Sequence, residues 1–107
     1  MTLEISNLHG LIENALLQLN KMDKVRFSRQ LARIERLLLI LYRSAVVAAR
    51  REQEIGLAAQ TWWETLSVLD QAARRLQSAS AKGRGAGSLK RIRQLRLAAS
   101  EMLDLYQ

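Results

Sequence analysis

Not one of the 107 residues is proline, and that absence limits the possible folds more than any residue present. Proline ends helices because it lacks an N–H and its ring clashes with the preceding turn. A chain without it can run as helix wherever its apolar residues recur every three to four positions. They recur in four stretches. The first is Leu8, Ile12, Ala15, Leu19 and Met22. The second, the longest, is Phe27, Leu31, Ile34, Leu38, Leu41, Ala45 and Ala48, with Ile55 beyond a break at Glu52. The third is Trp62, Leu66, Leu69, Ala73 and Leu76. The fourth is Ile92, Leu95, Ala99, Met102 and Tyr106. A mean period of about 3.5 predicts an all-α fold, an antiparallel four-helix bundle with left-handed, coiled-coil-like packing.

The breaks differ in quality. Ser6 or Asn7 is expected to cap the first helix and Asp23 the second. The segment Asn20-Lys21-Met22-Asp23 holds no Gly or Pro, so the first two helices either turn there or run on as one, which would leave three. Gly56 reads as the C-terminal stop of the second helix. Thr61-Trp62-Trp63-Glu64 has capping-box form and predicts a third helix starting at Thr61. Residues 81–88 hold three glycines in five positions, a flexible loop with Ser88 placed to cap the fourth helix. With 49% apolar and 25% charged residues, the composition is that of a globular chain, expected to be a single domain over 1–107.

Charge is the second constraint. Seventeen Lys+Arg oppose ten Asp+Glu, for a net charge of +7. With Leu31 and Ile34 at heptad positions a and d, Arg26, Arg29, Arg33, Arg36, Arg43 and Arg50 all fall at c or f, on the side away from the core. Arg26 to Arg50 covers roughly 36 Å at 1.5 Å per residue. Only Glu35 interrupts the Arg26–Arg43 span with a carboxylate. Such a row can follow a phosphate backbone, which carries a charge every ~1.7 Å along a duplex axis. The plainer alternative is a charged outer face that keeps a bundle in solution. A second cluster, Lys82, Arg84, Lys90, Arg91, Arg93 and Arg96, spans the glycine-rich loop and the start of the fourth helix. Cations there oppose the helix dipole but flank free backbone N–H groups, as in an anion site. These residues predict nucleic-acid binding through phosphate contacts, in an accessory subunit of a nucleoprotein complex. The alternative is an adaptor whose basic face docks an acidic protein.

Apolar residues also lie off the seams. From Leu37 to Leu41 every position is apolar, and Val46 and Val47 continue the pattern. One neighbour cannot cover a helix that is hydrophobic all round, so it is either central or an interface. Leu37, Leu39, Ile40, Val46, Val47 and Trp63 are the expected interface residues of a homo-oligomer.

Chemistry is sparse. With no cysteine there is no thiolate, disulfide or zinc–thiolate site. His9 has no partner at metal-ligand spacing, and Glu52 and Glu54 point apart on a helix. Gly83-x-Gly85-x-Gly87-Ser88 lacks the spacing of a nucleotide-binding loop. No enzyme, cofactor or metal is expected. The N-terminus lacks a signal-peptide pattern. The apolar stretch Leu37–Ala49 contains Arg43 and falls short of the ~20 residues of a membrane span. A soluble cytoplasmic protein is expected.

Overall fold

A computed structural model describes residues 5–19, 23–52, 56–80 and 85–107. They form α1 (Ile5–Gln18), α2 (Lys24–Glu52), α3 (Ala58–Ser80) and α4 (Ala86–Leu105). The fold is the all-α four-helix bundle that the apolar spacing predicts. Met22, Glu54, Ile55, Lys82 and Arg84 lie outside the described residues.

Consecutive helices run antiparallel. The Gln30 side-chain amide donates to the Ala15 carbonyl between α2 and α1. The Tyr42 and Trp62 rings meet at 5.3 Å between α2 and α3. Arg96 on α4 pairs with Asp70 on α3. Packing is most extensive between α3 and α4, then between α2 and α3 and between α1 and α2; α2 also touches α4, and α1 touches α3. The helices therefore zigzag, with α1 and α3 on one broad face and α2 and α4 on the other. The Cα trace forms a slab of 47 × 26 × 15 Å. At 1.5 Å per residue the 29-residue α2 is about 43 Å long and sets the long dimension.

The core is built from the predicted seams. Leu8, Ile12, Ile34, Leu38, Leu41, Trp62, Leu69 and Leu76 are fully buried. Along α2 the buried line moves from the predicted Ala48 to Ala49, as a 3.6-residue helix drifts against a 3.5 repeat. Burying a leucine contributes roughly 1.5–3 kcal/mol, so this cluster is the main source of stability.

One predicted helix start and one predicted stop are confirmed by hydrogen bonds. Asp23 Oδ1 accepts from the Arg26 N–H at 2.9 Å and caps α2, so α1 and α2 are separate helices. Gly56 has φ +74°, and the Leu57 N–H donates to the Glu52 carbonyl at 3.2 Å. That bond over a left-handed glycine is a Schellman-type stop.

Three other starts differ. The first helix already includes Ile5, so neither Ser6 nor Asn7 caps it. The third begins at Ala58, and Thr61 is not its cap. The Thr61 hydroxyl instead donates to Glu52 Oε2 at 2.5 Å, and Glu64 accepts from Gln60. Thr61 already stands inside the first turn of α3, where its own N–H donates to the Leu57 carbonyl at 3.1 Å. The fourth begins at Ala86, with Gly85 (φ +75°) at the N-cap and Ser88 buried in the first turn.

Candidate nucleic-acid interface

The c and f positions of α2 run Arg26, Arg29, Arg33, Arg36, Ile40, Arg43, Val47 and Arg50, and all eight are exposed. They cover the side of α2 opposite Leu31, Ile34, Leu38 and Leu41. This is a stripe of six guanidinium groups in which two apolar residues stand at the fifth and seventh places. Arg26 is within 3.8 Å of Asp23, the residue that caps its own helix. Among the described residues, Arg29, Arg33, Arg36, Arg43 and Arg50 have no carboxylate within ion-pair distance.

Glu35 is the one acid inside this span, and it points to α4. Its carboxylate accepts from Arg91 Nε at 2.5 Å and from Arg91 Nη2 at 3.2 Å. The Glu35 hydrogen bond first, and its charge second, hold the Arg91 guanidinium above its usual pKa. Nearby, a Cβ built at Gly85 would lie 3.3 Å from Leu31 Cδ1 and 3.9 Å from Phe27 Cε1. The start of α4 thus lies beside residues 27–36 of α2, and the two helices run parallel.

This juxtaposition brings Arg91, one member of the second basic cluster, against the α2 stripe. Lys90 and Arg93 are exposed on α4, where they line a shallow pocket with Ala86, Leu89, Gln94 and Leu97. The other two described members of that cluster are engaged within the chain: Arg91 with Glu35, and Arg96 with Asp70 on α3. Of the two clusters' described members, Arg26, Arg29, Arg33, Arg36, Arg43, Arg50, Lys90 and Arg93 remain as cations turned to solvent.

The expected interface residues divide. Leu37 and Val46 are half-buried and pack on the core, so the position of α2 between three neighbours accounts for them. Leu39 and Ile40 are each 39% exposed, Val47 41% and Trp63 57%. Ile40 and Val47 sit within the arginine stripe, Leu39 borders α4, and Trp63 lies on the outer side of α3 near α4. Trp62, one residue earlier, is fully buried.

Sequence spacing did not single out Arg74 and Arg75. They line an α1–α3 groove of about 600 Å³ with Glu13, Leu16 and Leu17, on the opposite broad face. A lone arginine pair in the middle of a helix carries no distinguishing pattern; only the approach of α1 gives it a setting.

The described residues include no group of three or more His, Cys, Asp or Glu placed to hold a metal ion. Among them, no helix is long and apolar enough to cross a membrane. The chain matches no protein-family model, no curated protein and no solved structure.

Proposed function

We propose that the α2–α4 face binds nucleic acid through its phosphates, as a non-catalytic accessory module of a nucleoprotein complex. One observation carries this reading: among the described residues, five α2 arginines have no carboxylate within ion-pair distance, while the single acid in their midst is held by Arg91. A face that only needed to stay hydrated would mix both signs. This one concentrates positive charge along about 32 Å, from Arg29 to Arg50. Arginine suits phosphate because its planar fork can donate two hydrogen bonds at once. No base-reading element accompanies the row, so recognition would be by charge and shape.

The test is the salt dependence of binding to short DNA and RNA duplexes and single strands. Five to seven phosphate contacts give a slope of log affinity against log salt of roughly −4 to −6. Changing Arg29, Arg33 and Arg36 together to Gln should remove about two to three units of slope. Wild-type protein that retains neither DNA nor RNA at low salt would end this reading.

A second reading, docking of an acidic protein, is favoured by Ile40 and Val47. Each interrupts the arginines at roughly two-fifths exposure, and a phosphate backbone gives an isoleucine or valine nothing to bury against. The homo-oligomer expected from the sequence meets an electrostatic obstacle at the same stripe. Two copies pairing α2 to α2 would set arginine against arginine, each chain carrying +7.

A further inference from the structure

Between α2 and α4, beside the arginine stripe, lies an open groove of about 370 Å³. Its floor is apolar: Ala32, Leu38 and Leu39 from α2, Ile92 and Leu95 from α4. The Glu35–Arg91 pair lines it and ties the two helices together. Arg36 lines the α2 wall, and Arg43 stands one heptad further along it. From α4 the one charged residue lining the groove is Arg91, which Glu35 already holds. The groove thus pairs an apolar floor with an unpaired cation on the α2 side only.

We propose that this groove docks an amphipathic helix of a protein partner, one that carries apolar residues on the face toward the floor and carboxylates along the flank toward α2. Charge complementarity selects this occupant. Among the described residues neither Arg36 nor Arg43 has a carboxylate within ion-pair distance, so a Glu or Asp on the incoming flank meets a cation without displacing an existing pair. Leu39, 39% exposed between the two walls, is the anchor that such a helix covers. Apolar residues at i, i+3 or i+4, and i+7 fit a straight trough between parallel helices. A nucleic acid fits it poorly, because the floor offers no donor to a phosphate. A second copy fits poorly too, since it brings a like net charge of +7. The proposal goes beyond phosphate binding and stands whether or not the arginine stripe binds nucleic acid.

The experiment uses the full chain and a fluorescein-labelled helical peptide about 18 residues long, with leucines on one face and glutamates on an adjacent flank. Two controls keep the length: one scrambles the same residues so that the leucine face is lost, and one replaces Glu with Lys. Anisotropy at about 150 mM salt should show binding of the ordered acidic peptide, at least about tenfold weaker binding of the scramble, and none of the Lys version. Leu39→Gln and Arg36→Gln should each weaken the ordered peptide by about tenfold, and Val47→Gln, outside the groove, should not. Circular dichroism on each variant checks that the bundle persists. Equal affinity for ordered and scrambled peptides would overturn the proposal in favour of diffuse charge attraction, and no binding of either would overturn it outright. A dimer mass that Leu39→Gln abolishes would assign the groove to a second copy instead. The pair Arg29→Gln and Arg33→Gln separates the two functions: it should weaken nucleic acid and leave the peptide unchanged.

Discussion

The Glu35 carboxylate on α2 takes both prongs of the Arg91 guanidinium on α4, Nε at 2.5 Å and Nη2 at 3.2 Å. The contact crosses 56 residues of sequence and does two things. It fixes the start of α4 beside the first half of α2, and it engages the one carboxylate that lies between Arg26 and Arg50.

Glu35→Gln is therefore expected to strengthen nucleic-acid binding. The change raises the net charge by one and frees Arg91 to contact a phosphate, which adds about 0.9 to the magnitude of the salt slope. Thermal stability should fall only slightly, because the Arg91 side chain is 63% exposed and solvent screens the pair. Binding that weakens in this variant would mean the pair positions the site more than it masks it.

The bundle was legible in the sequence because burial imposes a period. Leu31, Ile34, Leu38 and Leu41 recur where a helix must present one face, and proline nowhere interrupts them. The caps were less legible. Asp23 works as read, its carboxylate accepting the Arg26 N–H, whereas α3 starts three residues before Thr61, whose hydroxyl donates to Glu52 on another helix. The basic face was half legible. The c and f arginines follow from the heptad alone, and α2 does present them to solvent. That Arg91 and Arg96 are engaged by Glu35 and Asp70 is information held in tertiary pairing, as is the buried Gln30 amide on the Ala15 carbonyl. Local spacing carries no trace of either.

Asp23→Ala should cost about 1 kcal/mol, the usual loss for an N-cap whose carboxylate accepts a backbone N–H. Urea unfolding with an unchanged m-value checks it. A loss below about 0.3 kcal/mol would show that α2 is held by its core face alone.

Lys90→Gln with Arg93→Gln should act on binding and leave stability nearly unchanged. Both are exposed and lie beyond the first turn of α4, where the helix dipole has faded, so their removal should move stability by less than about 0.5 kcal/mol. If they contact phosphate, the salt slope should shrink by about 1.4–1.8 units. A slope equal to that of wild type would confine the nucleic-acid face to α2.

Three glycines provide a graded test of the packing. Gly10 lies within α1 with nothing inside 4 Å of a built Cβ, so Gly10→Ala should stabilise by about 0.5–1 kcal/mol through helix propensity. Gly56 also has open space, but its φ is +74°, which costs an L-residue roughly 1–2 kcal/mol. Gly85 shares that backbone (φ +75°) and adds a second obstacle: its Cβ would stand 3.3 Å from Leu31 Cδ1 and 3.6 Å from Leu76 Cδ2. Leu76 is fully buried and Leu31 nearly so, and neither moves freely in a packed core. Gly85→Ala should therefore cost about 1 kcal/mol more than Gly56→Ala, as overpacking does. It should also lower peptide and nucleic-acid binding together, because it displaces the start of α4 that carries Arg91. Equal losses at Gly56 and Gly85 in urea unfolding would mean that Leu31 yields without cost and that α4 is not seated on α2 at this point.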